Sequence, residues 1–406
     1  MLKSCETLKS VLENNLCVGC GACSVTTPEK IKLNLNSDGY LRPFIKEGLT
    51  KQEENNILKI CPGVSVDSAF YQQSKDRLWG PILNSFVGWS SNDELRHKAS
   101  SGGAITSIAS SLLFQGEVDA VLHTGVDTSD PLKNRYQIST NPEDVMKHAG
   151  SRYAPAAPLE GLFEAIKNYK RIAFIGKPCD VVAVRKICEI DKEVREKIYC
   201  CISFMCAGVP SLKGTHAVLK ALDVDVEDVK GFQYRGDGWP GQAKVTTHED
   251  ITRGMSYDDS WGKILNRHLQ FRCKICIDGT GESADITCAD AWHGDTNGYP
   301  SFDEQQGRSL VLIRTEHGRN ILNRVINKDS LIVEPIDVTE LQKMQPYQAS
   351  RKSLALSRLL ALATVNMSIP KYNLKMLLSL SKKSTLKDNV KSYLGTLTRA
   401  LKLRKL

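Results

Sequence analysis

From about residue 79 the chain alternates between short, dense apolar runs and stretches with helical spacing. SFVGWSS (85–91) reads as a strand, and VDAVLHTGV (118–126) as a buried one. SSGGAITSIASSLLFQG (100–116) reads as a turn feeding an amphipathic helix that Gly116 ends. LEGLFEAIKNYK (159–170) has the pattern of a helix. RIAFIGKPCD (171–180) and IYCCISFMCAGVPS (198–211) each read as a strand running into a loop. This β-α alternation predicts a sheet flanked by helices. Nearer the N-terminus, KIKLNLNSDGYLRPFI (30–45) alternates like two short strands around a Ser-Asp-Gly turn. Residues 351–406 read as two or three amphipathic helices rich in Leu and Lys/Arg.

The pattern predicts an α/β core domain and a helical, basic C-terminal tail, preceded by a small N-terminal module that the cysteine spacing below makes ferredoxin-like. The expected divisions are 1–78, 79–350 and 351–406, reasonable for 406 residues. A hydrophobic content of 41% with 25% charged residues suits a soluble protein with a true core. The start shows no signal-peptide pattern and no run is apolar enough for a membrane helix, so a cytoplasmic location is expected. The net charge of +8 is uneven: the last 56 residues hold 13 Lys/Arg and one acid, leaving the first 350 at −4. Such helices can lie on an anionic membrane surface, as a peripheral contact at the inner face, or dock on the body. Nothing in the chain resembles a nucleic-acid-binding motif.

Thirteen cysteines in a reducing compartment argue for metal or cluster ligation over disulfides. Cys17, Cys20 and Cys23 have the C-x2-C-x2-C spacing of a bacterial ferredoxin. The expected fourth Cys is replaced by Thr27, although Pro28 remains. In two-cluster ferredoxins the Cys of each Cys-Pro ligates the other triplet's cluster, and here Cys61-Pro62 supplies one. A second triplet and a Cys at position 27 are both missing. The N-terminal region therefore reads as a module that kept one [4Fe–4S] cluster, held by Cys17, Cys20, Cys23 and Cys61, with a zinc site as the alternative. Downstream, Cys179 and Cys206 each follow a strand, and Cys273-x2-Cys276 adds two thiols; the four make a second cluster plausible but are equally open to a redox dithiol, a zinc half-site or inert buried cysteines. Cys188, Cys200, Cys201 and Cys288 read as core residues. The Ser100-Ser101-Gly102-Gly103 run before a helix suits either a phosphate cradle or a plain helix cap.

ASSGGAITSIASSLLFQGEVDAVL, GSRYAP, FIGKPCDVVAVRK, SFMCAGVPS, CKICIDGTGESADITCADAW and GRSLVLIRTEHGRNIL occur in this order between residues 99 and 322, within a likeness that reaches over roughly residues 15–320. Together they resemble the family of the beta subunit of coenzyme F420-reducing hydrogenase and dehydrogenase. That family includes reductases of a chlorophyll hydroxymethyl group and bacterial members from polysaccharide gene neighbourhoods. The resemblance implies FAD beside a [4Fe–4S] cluster. Carried onto this chain, Ser100, Ser101, Gly102 and Gly103 would cradle FAD, with Asp290 and Trp292 close to the same pocket. Cys179, Cys206, Cys273 and Cys276 would hold the inner cluster. Arg152 and Tyr153 would lie near flavin or substrate. Lys177 departs from the small or hydroxylated residue of several relatives.

The expected function is an iron–sulfur flavoprotein oxidoreductase. Electrons would pass from ferredoxin through two [4Fe–4S] clusters and FAD to an organic substrate in polysaccharide metabolism. Proton-donor candidates are Lys177, Arg152 and Tyr153, with His97 and His293 beside them. The alternatives are an F420-dependent oxidoreductase, a subunit delivering electrons to a partner protein, or a zinc-structured module without flavin.

Overall fold

The computed structural model describes residues 3–66, 77–294 and 301–404. Part of the expected 1–78 module, residues 67–76, lies outside the described residues. Near the N-terminus, β1 (Ile31–Leu35) and β2 (Leu41–Ile45) form an antiparallel hairpin with Ile31 opposite Ile45. Gly39 takes its left-handed turn position at φ +79°. Five strands follow: β3 (Asn84–Ser90), β4 (Ala120–Asp127), β5 (Asp130–Ser139), β6 (Ile172–Gly176) and β7 (Ile198–Phe204). β8 (Val229–Gln233), β9 (Gln242–Thr247) and β10 (Thr252–Ser256) make a separate antiparallel sheet. β11 (Ile286–Asp290), β12 (Ser309–Ile313) and β13 (Leu331–Pro335) return to the large sheet.

The large sheet runs β13-β3-β12-β11-β7-β6-β4-β5. Its centre, β11-β7-β6-β4, is parallel, and both flanks are antiparallel. Central strands must be apolar on both faces, and all five residues of β6 are buried. Alternate side chains serve opposite faces. Ile172 and Phe174 pack with the helices Leu162–Asn168 and Pro178–Ile190. Ala173 and Ile175 pack with the helices Ala104–Phe114 and Glu316–Asn327. Cys200 and Cys201 divide between these cores in the same way, Cys188 joins the first and Cys288 the second. Gly116, at φ +64°, closes the helix it was expected to end.

The C-terminal helices Ala355–Thr364, Leu374–Ser381 and Leu386–Arg404 dock on the body. Leu359, Leu362, Leu377 and Leu380 share one core with Val11 and Leu16 from the N-terminus. Backbone bonds fasten the contact, with Ile369 N donating to Lys3 O (2.8 Å) and Lys371 N to Val64 O (2.7 Å). The boundary expected at residue 351 from the charge run falls inside the helix Pro346–Ser353. Among the described residues no helix is long and apolar enough to cross a membrane.

Candidate functional site: two cysteine cavities and an arginine-centred cluster

The N-terminal thiols are gathered by two tight turns and a helix end. Gly19 (φ +72°) and Gly21 (φ +90°) bend the backbone between Cys17 and Cys23, and Cys61 caps the helix Lys51–Ile60. That helix starts with a reciprocal capping box between Thr50 and Glu53. Cys17, Cys20, Cys23 and Cys61 together line a cavity of about 380 Å³ of atom-free space, its mouth included. Thr27, at the missing-cysteine position, is buried and donates its hydroxyl to Cys23 O (2.9 Å). Burial pushes the Cys61 thiol up to about 11, and those of Cys20 and Cys23 well above the ordinary range.

The second quartet forms at the carboxyl ends of the central parallel strands, where ligands gather in such sheets. Gly176 of β6 pairs with Ser203 of β7, so Cys179 and Cys206 lie three residues beyond adjacent strand positions. Cys179 is not in a loop, as the strand-to-loop reading expected. It sits in the first turn of the helix Pro178–Ile190, with Pro178 at its start and Asp180 accepting from Lys177 N (3.0 Å). Proline at the first helical position was the overlooked signal. The segment after β7 joins the loop ahead of β11, through Cys206 N to Gly279 O (2.8 Å) and Val209 N to Cys273 Sγ (3.4 Å). Cys179, Cys206, Cys273 and Cys276 thereby line a cavity of about 420 Å³, its mouth included. Val18 stands in the walls of both cavities. Burial raises the Cys206 thiol to about 12 and the Cys179 thiol well above its ordinary value.

Among the described residues, no three His, Cys, Asp or Glu side chains converge as a single-ion site would require. The second wall instead carries charge. Arg272 and Arg351, both buried, line it together with Asp278. Nε and Nη1 of Arg272 and Nε of Arg351 have no hydrogen-bond partner among the described residues. Neither arginine was singled out from the sequence. Arg272 flanks the C-x2-C, a usable signal, whereas Arg351 reaches the cavity only through tertiary packing.

The remaining candidates separate into two places. Lys177 belongs with the second quartet. Its buried Nζ donates to Asp180 Oδ2 (2.7 Å) and Ala156 O (3.1 Å). Burial would lower its pKa, but Asp180 and the nearby thiols outweigh this and hold it above the ordinary value. Lys177 is thus engaged in a buried ion pair within the fold. Ser100, Tyr153, Asp290 and Trp292 instead converge on Arg235, which the sequence reading missed. Asp290 accepts from both terminal nitrogens of Arg235 (2.9 Å each) and from Trp239 Nε1 (3.0 Å). Ser100 Oγ donates to Arg235 O (3.2 Å), and Arg235 Nη1 reaches Tyr153 Oη at 3.5 Å. Trp292 stacks on Trp239 at 4.8 Å, and Arg235 lies over the Tyr257 ring at 4.5 Å. His293 packs edge-on against Trp239, while His97 is exposed. Arg152 is a clamp beside this cluster, donating to Asn134 Oδ1, Phe232 O and Pro131 O at 2.8 Å each.

The Ser-Ser-Gly-Gly segment is packed from both sides. Ser101 Oγ donates to Arg308 O (2.9 Å), and Ser309 Oγ donates to Ser101 Oγ (3.1 Å). A Cβ on Gly102 would stand 2.6 Å from Gly88 O and 2.7 Å from Ser309 N. Gly103, at φ +76°, caps the helix Ala104–Phe114 without a side-chain bond. The serine hydroxyls are thus engaged within the fold.

Residues 85–164 match the N-terminal model, and residues 169–339 the C-terminal model, of the coenzyme F420 hydrogenase/dehydrogenase beta subunit. The chain belongs to that family. Within it, the chain is 24% identical over 344 residues to one of the subunits of the F(420)H(2) dehydrogenase of Methanosarcina mazei, covering 82% of this chain and 89% of that one. It is 25% identical over 255 residues to the coenzyme F420 hydrogenase beta subunit of Methanococcus voltae, covering 60% of this chain and 81% of that one. A coenzyme F420-dependent sulfite reductase of Methanocaldococcus jannaschii is 24% identical over 84% of this chain, which matches 51% of that longer protein. The fold is shared with a chain of the F420-reducing [NiFe] hydrogenase complex of Methanosarcina barkeri, at a TM-score of 0.56 and 19% identity, over 74% of this chain and 99% of that one. These relatives mark the family as one of oxidoreductases.

Proposed function

We propose that the chain is an iron–sulfur electron-transfer component of an oxidoreductase. One [4Fe–4S] cluster would be held by Cys17, Cys20, Cys23 and Cys61 in a ferredoxin-like module, and a second by Cys179, Cys206, Cys273 and Cys276 in the α/β domain. The observation that carries this reading is the second cavity: four thiols from three parts of the chain share its wall with two buried guanidiniums that keep N–H groups unpartnered among the described residues. Buried donors normally find acceptors, so this donor set suits an anionic, sulfur-ligated group. Thiols ringing a cavity suit a cluster better than one zinc ion, whose sulfur ligands would converge at about 2.3 Å from the metal.

A cluster in each quartet would supply one-electron transfer. The chain's own part is placement and insulation. Val18 contributes an apolar side chain to the walls of both sites. Lys177, fixed by Asp180, holds a positive charge beside Cys179 and Cys206.

Delivery to a partner protein is favoured over reduction of a small organic substrate by the state of the Arg235 cluster. Both Asp290 oxygens accept from Arg235, Trp239 Nε1 adds a third donor, and Ser100 Oγ is committed to Arg235 O, so the carboxylate and the serine are engaged within the fold, while Tyr153 Oη accepts from Arg235 Nη1. The named relatives, several of them subunits of F420-dependent enzymes, support a partner subunit or F420 as the other end of the path. Ferredoxin as donor, FAD, and an organic acceptor in polysaccharide metabolism rest on the resemblance alone. For FAD, Ser100 and Ser101 offer a phosphate no free hydroxyl, so the electron path is drawn only through the two cysteine sites.

The test is made on anaerobically purified protein. About eight irons with matching sulfide are expected per chain, with Cys61→Ser and Cys276→Ser each losing about half. Acid release shows whether FAD is bound. Zinc in place of iron, or iron content indifferent to Cys276→Ser, would sink the two-cluster reading.

A further inference from the structure

The family match ends at residue 339, but the wall of the second cysteine cavity extends beyond it. The helix Pro346–Ser353 brings Gln348 and Arg351 against the cysteine loops. Gln348 Nε2 and Arg351 Nη1 donate to Cys206 O at 3.2 and 2.8 Å, and Arg351 Nη2 donates to Cys273 O at 2.6 Å. Arg272, from the short helix Phe271–Lys274 that carries Cys273, donates Nη2 to Pro62 O at 3.2 Å. Three N–H-bearing nitrogens of these two cations remain unpartnered among the described residues. Asp278 on the same wall does not satisfy them. Its Oδ1 accepts from the Gly281 and Glu282 amides, and its Oδ2 is itself without a partner among the described residues.

A fold keeps buried charged donors unpaired when something else accepts from them. We propose that Arg272 and Arg351 are positioning residues that raise the reduction potential of a cluster held by Cys179, Cys206, Cys273 and Cys276. The C-terminal extension is then part of that site. This rests on the quartet being a cluster site, as argued above. Reduction adds one electron and hence one negative charge to the group between the thiols. Fixed positive charges and N–H donors near the sulfurs favour the reduced form.

The experiment is an anaerobic redox titration of the full-length holoprotein, followed by electron paramagnetic resonance of each cluster. Arg351→Gln is expected to lower the midpoint of one cluster by at least a tenfold change in its reduction equilibrium, about 59 mV for one electron. The other cluster should not move. Arg351→Lys, which keeps the charge, should recover most of the shift, and Arg272→Gln should lower the same midpoint. Full iron content with both midpoints unchanged in Arg351→Gln and Arg272→Gln overturns the proposal. If Arg351→Gln loses iron, Arg272→Gln alone decides on the same criterion. Unaltered protein with iron for one cluster only, none of it lost in Cys276→Ser, removes the cluster site itself and the proposal with it.

Discussion

Gly102→Ala separates two roles for the Ser-Ser-Gly-Gly segment. The added Cβ would stand 2.6 Å from Gly88 O, 2.7 Å from Ser309 N and 2.9 Å from Arg308 Cα. All three are backbone atoms, of β3, of β12 and of the residue before β12, so no side chain can swing away. Relief to an ordinary contact of about 3.4 Å requires shifts of several tenths of an ångström in a close-packed sheet, and such overpacking costs about 1–3 kcal/mol. The shift also strains two bonds, Ser90 N to Gly102 O (2.7 Å) and Gly102 N to Ser309 Oγ (2.9 Å). At about 1 kcal/mol each, these bring the expected loss to about 3–5 kcal/mol. Urea unfolding followed by circular dichroism reads it as a lower midpoint at unchanged slope. A phosphate cradle predicts the reverse, with stability kept and bound flavin lost. A Gly102→Ala protein as stable as the parent, but depleted in FAD, would refute the packing argument.

Lys352 and Glu282 form a buried ion pair, each side chain 3% exposed. Lys352→Met should destabilise by about 3–5 kcal/mol by stranding the carboxylate, and adding Glu282→Leu should recover much of this in the same assay. His123 is buried with Nε2 2.8 Å from Ser139 Oγ, and burial lowers its pKa to about 4. A depressed histidine favours the neutral form in the fold. Its stabilising effect is therefore complete above the unfolded value near 6.5 and is lost as pH falls from there through about 4. The gap corresponds to about 3 kcal/mol, and His123→Gln should flatten that part of the stability–pH curve. Restoring the missing ferredoxin cysteine with Thr27→Cys should leave the iron content unchanged, because position 27 is buried and bonded back to Cys23 O. Added iron in that variant would contradict the placement.

The local code was legible. The hairpin of β1 and β2, the helix closed by Gly116 and the apolar run of β6 follow from side-chain period and turn chemistry within a few residues. The two cysteine quartets were also readable as groups, the first from ferredoxin spacing and the second with help from family resemblance. The sequence further located the positive charge in the last 56 residues.

What that charge does was decided only in three dimensions. Arg351 lies 145 residues from Cys206 in sequence and within hydrogen-bond distance of its carbonyl in the fold. No local pattern marks a long-range contact of that kind, because it depends on where the C-terminal helices find a core to share with Val11 and Leu16. The same reason separates the proton-donor candidates. Lys177, Arg152 and Tyr153 look alike as polar residues near apolar strands. Tertiary packing makes the first a buried ion pair, the second a clamp on four acceptors and the third a neighbour of Arg235. Spacing along a chain fixes which groups can be neighbours within a turn or two. Which distant groups share one cavity, and which polar atoms are already satisfied there, is set by the packing of whole elements.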